Sequence, residues 1–198
     1  RTRLLASFSG YPSFTLHSAD ALTFDYPSLM GGKATLRVVG NLPYNISTPL
    51  IFALLDQAPI IADMHFMLQR EVVERLAATP NTKAWGRLGV MAQFQCEIEH
   101  LFDVPPEAFY PPPKVQSAIV RLTPRPVNPW HDCSRAALGK AVTQAFSQKR
   151  KTLRNNFKGV LGDADFEQLG IDPSHRAETL SLDQLIAIAL WLEHKHNL

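Results

Sequence analysis

The chain has 198 residues, 45% of them hydrophobic and 19% charged, so it can bury the core of one domain or of one domain and a small appendage. This composition excludes an intrinsically disordered chain, and the sequence contains no run of about 18 uncharged apolar residues that would indicate a membrane protein. Two cysteines, Cys96 and Cys133, are too few for a disulfide framework and have no CxxC partner. We expect them to be reduced thiols of a cytoplasmic protein.

The formal net charge of +2 hides an uneven distribution of charge along the chain. The stretch 135–158 has seven basic residues and no acidic one, whereas the remainder has 13 basic and 18 acidic residues. Because phosphate binding needs only a local basic surface, the near-neutral average does not exclude a nucleic-acid partner.

The first 125 residues alternate short β-type runs with longer amphipathic stretches, which is typical of an α/β sheet. The predicted strands are 14–17, 36–39, 64–69, 98–104 and 115–122, and the predicted helices are 47–57, 71–78 and 87–95. Eight of the 15 prolines lie between 105 and 129, and the last three form a stiff connector. Beyond it, the pattern predicts helices at 134–146, 151–160 and 181–194. We therefore predict two domains, residues 1–126 and an all-helical domain at 127–198.

The segment VVGNLPYNIS, from Val38 to Ser47, places polar and aromatic residues directly after an apolar strand. Ligands of open α/β sheets bind at this end of the strands. Methylation of the exocyclic amine of a base needs hydrogen-bond acceptors for that amine, because its lone pair is delocalised into the ring. The side-chain carbonyl of Asn41 and the backbone carbonyl of Leu42 can provide them. Pro43 would stiffen the turn, and Tyr44 would offer a face for stacking a base.

The same segment also fits a purely structural interpretation. Asn41 would then adopt a left-handed conformation in a strand-to-helix turn, and Tyr44 would lie in the core.

Asn41 to Ser47 resembles the signature of the ribosomal RNA adenine dimethyltransferases, a family that includes bacterial small-subunit enzymes and eukaryotic dimethyladenosine transferases. The resemblance continues in order over nearly the whole chain, through the segments 62–69, 71–73, 109–118, 145–155 and 176–181. It implies an α/β fold in which a Rossmann-like class I methyltransferase sheet, incomplete at its N-terminus, is followed by a small all-helical domain that binds RNA.

The resemblance also implies roles for individual residues. Asp20 and Ala21 match an Asp-Ala pair that binds the adenine amine of S-adenosylmethionine, and Asn41 would meet both this methyl donor and the target amine. Tyr44 and Phe109 resemble the aromatic residues that sandwich the target adenine. The candidate catalytic residues are thus Asn41, Leu42, Pro43, Tyr44 and Phe109. Taken alone, Asp20 also fits a turn or cap, Tyr44 a core residue and Phe109 a loop anchor.

The basic stretch predicts contacts with RNA. Arg150 and Arg154 are four positions apart and would share a helix face, where like charges repel each other. We expect an anionic partner there rather than a merely solvated helix face. The candidate phosphate contacts are Lys149, Arg150, Lys151, Arg154 and, from the proline-rich loop, Lys114. No histidine has a carboxylate or cysteine at ligand spacing, so we predict no metal site.

The sequence departs from the family's pattern in lacking the glycine-rich cofactor loop, since no GxGxG or GxGxxG occurs among its ten glycines. The acidic residue that binds the cofactor ribose and the N-terminal segment that closes over the site are missing too. We therefore expect an incomplete product of a longer protein rather than a natural fragment. These 198 residues alone should bind S-adenosylmethionine weakly or not at all.

The activity that the resemblance implies is dimethylation of the exocyclic amines of two adjacent adenosines in the 3′-terminal hairpin of small-subunit ribosomal RNA. The partner would be the pre-30S subunit, and the enzyme a cytoplasmic monomer with a role in small-subunit biogenesis. A non-catalytic RNA-binding assembly factor is the alternative from another class. A macrolide-resistance methylase acting on large-subunit RNA fits less well, because the segments around Phe109 and Lys149 resemble the small-subunit enzymes more closely.

Overall fold

A four-stranded mixed sheet organises the first two thirds of the chain, with the strand order β1-β2-β4-β3. The structure is a computed structural model that describes residues 2–32 and 35–196. Its strands are β1 (Leu36–Asn41), β2 (Ile61–Gln69), β3 (Cys96–Val104) and β4 (Ser117–Pro124). Its α-helices are α1 (Thr2–Phe8), α2 (Ser47–Leu55), α3 (Arg70–Leu76), α4 (Arg87–Gln95), α5 (Arg135–Ala145), α6 (Leu153–Asn156), α7 (Asp163–Gln168) and α8 (Leu182–His196).

The strand register brings several chain segments to one end of the sheet. β1 runs parallel to β2, with Asn41 opposite Met67. β4 runs antiparallel to both of its neighbours, so its first residue, Ser117, lies opposite Gln69 of β2 and Val104 of β3. The last residues of β1, β2 and β3 and the first residue of β4 therefore lie at the same end, called here the upper end of the sheet.

Helices α2 to α4 bury one face of the sheet. Side chains alternate between the two faces of a strand, and on β2 the buried set is Met64, Phe66 and Leu68, each at most 1% exposed. On α2, Ile51 and Leu54 bury the helix face that packs on this cluster. Pro49 lies in the first turn of α2, where its missing N–H removes no hydrogen bond.

A second apolar cluster lies among helices α5 to α8, and α4 joins the two clusters. Leu138, Phe157 and Leu185 are fully buried in this second cluster. Val90 and Phe94 of α4 pack in it as well, whereas Leu88 and Ala92 of the same helix face the sheet. The division after residue 126 stays a prediction, and side chains from both sides of it share this second cluster.

The predicted strand at 14–17 is wrong, because among the described residues the segment pairs with no other strand. A strand is stable only through hydrogen bonds to another strand, and within the described residues β1 pairs with β2 alone. Phe14 instead turns back on its own segment: its N–H donates to the carbonyl of Tyr11, and its ring packs 5.2 Å from that of Phe8.

The predicted helix at 151–160 is also wrong over most of its length, since α6 has only four residues. The N–H of Lys151 donates to the carbonyl of Gln148, so residues 148–151 form a turn before α6. The first N–H groups of α6 donate to loop carbonyls at Pro173 and His175. Arg150 therefore lies in a turn, and the expected shared face with Arg154 does not form.

Cys96 and Cys133 are free and buried. Burial raises the pKa of the Cys96 thiol to about 12. Among the described residues, no helix is both long and apolar enough to span a lipid bilayer.

Candidate active site and RNA interface

In the turn after β1, the side chain of Leu42 packs inward, and the residues on either side of it stay exposed. Leu42 is only 8% exposed, and its N–H donates to the carbonyl of Met67. Gly40 makes room for it, since a Cβ at that position would lie 2.8 Å from Cδ2 of Leu42. With Leu42 packed inward, Asn41 and Pro43 on either side of it are exposed at the upper end of the sheet.

This geometry removes the structural interpretation of the segment. Within the described residues, Asn81 is the one non-glycine residue with positive φ, so Asn41 is not left-handed. Tyr44 is 47% exposed and does not belong to the core. An exposed amide and an exposed aromatic ring, three residues apart, are thus free to meet a ligand.

Tyr44 is positioned by two serines. The buried Ser47 donates its hydroxyl to the Tyr44 carbonyl over 3.2 Å and so ties the turn to the start of α2. The Tyr44 hydroxyl lies 3.5 Å from Oγ of Ser117, the first residue of β4. The turn therefore contacts the strand that begins directly after the proline-rich loop.

The proline-rich loop, residues 105–116, joins β3 to β4 and lies at the same upper end of the sheet. Phe109 is half-buried in it, and Lys114 is exposed. Within the described residues no ring contact joins Phe109 to Tyr44, so the two aromatic faces remain separate. Arg70 fixes the end of the loop, since its backbone N–H and its guanidinium both donate to Gln116.

Asp20 and Ala21 lie in the loop that precedes β1. Ala21 and Tyr26 pack on the same apolar cluster as Leu42, and the Tyr26 hydroxyl donates to the Ala21 carbonyl over 2.8 Å. Burial, with a smaller effect of the Asp20 carboxylate, raises the pKa of Tyr26 and keeps it a donor. One oxygen of the exposed Asp20 accepts the N–H of Leu22, which leaves its other oxygen available to a ligand.

The basic segment, defined as residues 147–151, is exposed between α5 and α6. Lys149, Arg150 and Lys151 form no ion pair within the described residues. Arg154 differs, because its guanidinium pairs with Asp163 over 2.9 Å. A phosphate would have to compete with that carboxylate, so Arg154 is a weaker candidate for RNA contact than the other three.

Asn156 holds the basic segment in place, and sequence reasoning missed it. Its side-chain amide donates to the carbonyls of Ala145, over 2.6 Å, and Gln148, over 3.3 Å. Asn156 is only 4% exposed. The basic residues around it drew attention to charge, and only the tertiary contacts identify the role of this uncharged side chain. Ser117 and Arg70 were missed because their contacts are tertiary too.

Comparison of the sequence with known proteins shows to which family the chain belongs. Residues 2–194 match the family model described as ribosomal RNA adenine dimethylase. The chain belongs to this family. It is 56% identical over 190 residues to ribosomal RNA small subunit methyltransferase A of Chromohalobacter salexigens, covering 94% of this chain and 67% of that protein. The Pseudomonas aeruginosa protein of the same name is 57% identical over 178 residues, 89% of this chain and 66% of that one.

Solved structures place this member of the adenine dimethylase family in a known fold. A dimethyladenosine transferase from Plasmodium falciparum superposes with a TM-score of 0.81 at 24% identity, covering 98% of this chain and 78% of that one. The 23S rRNA methyltransferase ErmE superposes with a TM-score of 0.71 at 23% identity, covering 97% and 77%. The fold is the predicted Rossmann-like class I methyltransferase fold, with helices following the sheet. Within the described residues, no group of three His, Cys, Asp or Glu side chains could hold a metal ion.

Proposed function

We propose that the protein to which these residues belong transfers methyl groups to the exocyclic amines of two adjacent adenosines in the 3′-terminal hairpin of small-subunit ribosomal RNA. The chain spans about two thirds of the length of the relatives it matches, so the activity is proposed for the whole protein. The supporting observation is the exposed Asn41–Tyr44 turn at the upper end of the sheet, beside the proline-rich loop. Relatives at 54–57% identity are named small-subunit methyltransferases.

The chemistry assigned to the turn follows from its donors and acceptors. An adenine amine that donates its two hydrogens to Oδ1 of Asn41 and to the Leu42 carbonyl is drawn out of conjugation with the ring, which makes its lone pair nucleophilic. Pro43 restricts the backbone of Leu42 before it and so limits the orientations of the Leu42 carbonyl. No strong base is needed, because the amine becomes acidic once it carries the new methyl group.

Aromatic stacking holds the base in position for this reaction. The exposed ring of Tyr44 and the half-buried ring of Phe109 come from different loops at the upper end of the sheet. Each base–aromatic stack contributes about 1–3 kcal/mol, which offsets much of the cost of taking an adenine out of its own stack.

The loop around Asp20 fits an adenosine-containing methyl donor. The free oxygen of Asp20 can accept an amine hydrogen, and Ala21 is fixed at the apolar cluster by Tyr26. When bound, S-adenosylmethionine supplies the methyl group. We assign Asp20, Ala21 and Asn41 to its binding, and we expect weak binding at best by these 198 residues without a glycine-rich loop.

The proposed partner is ribosomal RNA in the pre-30S subunit, contacted in the cytoplasm by a monomeric enzyme. Lys149, Arg150 and Lys151 are exposed and unpaired among the described residues, so they can neutralise phosphates without breaking an ion pair. Lys114 and Arg154 are the further candidates, the second at the cost of its pairing with Asp163.

Methyl transfer to isolated ribosomal subunits tests the proposed function. We expect the full-length protein to incorporate labelled methyl groups into unmethylated small subunits, up to four per subunit, and none into large subunits. Digestion of the RNA and mass spectrometry should identify the product as dimethyladenosine. Incorporation into large subunits alone would contradict the proposal, and so would binding of small subunits with no incorporation at all.

A further inference from the structure

Arg70, the first residue of α3, contacts both ends of the proline-rich loop. Its Nη1 donates over 2.7 Å to Oε1 of Gln116, the last residue of the loop. The same nitrogen lies 3.4 Å from Oδ2 of Asp103, which precedes the loop near the end of β3. The backbone N–H of Arg70 donates to the Gln116 carbonyl over 2.9 Å. One side chain therefore connects the strand that enters the loop with the residue that leaves it.

The two charged partners in this contact are each held by a second residue of their own element. On α3, Oε1 of Glu74 accepts a hydrogen bond from Nε of Arg70 over 2.8 Å, which leaves Nη1 for the loop. On β3, Nε2 of His100 lies 2.8 Å from Oδ1 of Asp103. The guanidinium and the carboxylate are thus oriented before they meet. These residues, with Gln116, are called here the Arg70 network.

The Arg70 network is poorly suited to stabilising the fold. The side chains of Arg70, Glu74 and Asp103 are 42%, 47% and 40% exposed, and ion pairs between exposed side chains stabilise folded proteins little. Backbone pairing already joins β3 to β4 over the length of both strands. The network adds a restraint on the loop between these strands.

The loop has few other restraints. Its first half forms a short helical turn, in which the N–H groups of Ala108 and Phe109 donate to the carbonyls of Pro105 and Pro106. Within the described residues, the segment 110–115 forms no backbone hydrogen bond, and three of its six residues are prolines, which have no N–H. The position of Phe109 therefore depends on how the two ends of the loop are held.

We propose that Arg70 is a positioning residue for methyl transfer, which holds the proline-rich loop so that the ring of Phe109 stacks on the target adenine. This inference rests on the proposed function, because it concerns the same base. Arg70 itself touches neither the base nor the methyl donor and acts through Phe109. The network also adjoins the contact between the two loops that carry aromatic rings, since Gln116 precedes Ser117, the partner of Tyr44.

Steady-state kinetics of methyl transfer to small subunits tests this role in the full-length protein. Arg70→Ala should lower kcat about tenfold, because a displaced ring holds the base in a less productive position. The Kd for the subunit should stay at the wild-type value, since the basic segment is unchanged. The backbone hydrogen bond to Gln116 does not depend on the side chain, so the fold tolerates the substitution. An unchanged kcat would overturn the inference.

Arg121→Ala is the matched control. Arg121 of β4 pairs with Glu99 of β3, so it joins the same two strands, and its side chain is 40% exposed against 42% for Arg70. Its pair lies within the paired strands and not at the loop. Arg121→Ala should therefore keep the wild-type kcat. Equal losses in the two variants would overturn the inference, because a general weakening of the β3–β4 pair would explain both.

A double variant tests whether Arg70 acts through Phe109. Phe109→Ala removes the ring, so the addition of Arg70→Ala should cause no further loss of kcat. Losses that multiply in the double variant would overturn the inference, because Arg70 would then act by another route.

Hydrogen exchange measures the restraint on the loop without any substrate. The N–H groups of Ala108 and Phe109 should exchange faster in Arg70→Ala than in the wild type or in Arg121→Ala. Equal rates in all three proteins would overturn the inference. A wild type that methylates small subunits, beside an Arg70→Ala variant with unchanged kcat, contradicts this inference alone. A wild type that fails to methylate contradicts the proposed function, whatever the exchange rates.

Discussion

At the scale of single residues, the candidate site depends on Leu42 more than on any polar side chain. Leu42 packs inward over Gly40, and this leaves Asn41 on one side and Pro43 on the other exposed. The sequence predicted which residues matter here, because their types and order carry the signature. It could not predict the contact of Tyr44 with Ser117, since the two are 73 positions apart.

Tyr44 offers a test of base stacking against hydrogen bonding. Tyr44→Ala should lower kcat/KM for methylation of small subunits by about five- to 150-fold, because a stack of about 1–3 kcal/mol is lost. Tyr44→Phe keeps the ring and loses only the hydroxyl near Ser117, so it should retain most of the activity. Steady-state kinetics of methyl incorporation compares the two. Equal losses in both variants would show that the hydroxyl, and not the ring, is what the reaction requires.

At the scale of secondary-structure elements, α4 contributes side chains to both apolar clusters and packs closely against α3. Gly89 of α4 lies so close to α3 that a Cβ there would be 2.6 Å from the carbonyl oxygen of Arg75. The sequence predicted both helices from their apolar periodicity. A glycine in a helix is unfavourable by itself, and only the tertiary contact explains its presence.

Gly89→Ala should therefore lower the free energy of unfolding by about 1–3 kcal/mol, because two helices must separate to admit one methyl group. Gly139 of α5 is a matched control, since a Cβ there would meet nothing closer than Met91 Cε at 3.8 Å. Gly139→Ala should raise the stability by up to about 1 kcal/mol through helix propensity. Urea-induced unfolding measures both, and destabilisation of similar size in the two variants would contradict the close contact.

The elements that sequence reasoning misassigned share one physical cause. The segments 14–17 and 151–160 have suitable local propensity, but their backbone groups find other partners. Phe14 bonds back to Tyr11, and the N–H groups of Leu153 and Arg154 bond to the 173–175 loop. In both cases, backbone N–H groups of the segment bond to carbonyls outside the predicted element.

At the scale of the whole molecule, the candidate catalytic residues lie at the upper end of the sheet. The basic segment, with most of the proposed RNA contacts, lies in the helical part. The strand register brings the turn after β1 and the proline-rich loop together, although about 60 residues separate them. The helical part is fixed to the sheet by α4, and Arg135 of α5 adds an ion pair with Asp56 and lies 5.4 Å over the ring of Phe52. The fold class was predictable from the sequence pattern, whereas this long-range order required the structure.

The central claim is that the turn at Asn41 holds the adenine amine for methyl transfer, so that the protein methylates small-subunit RNA and does not merely bind it. Asn41→Ala in the full-length protein tests this most directly, since it removes one acceptor of the adenine amine from an exposed side chain that supports no core packing. Mass spectrometry of small-subunit RNA should then find dimethyladenosine lost, while the affinity for the subunit stays at the wild-type value. Unchanged dimethyladenosine in the presence of this variant would contradict the account.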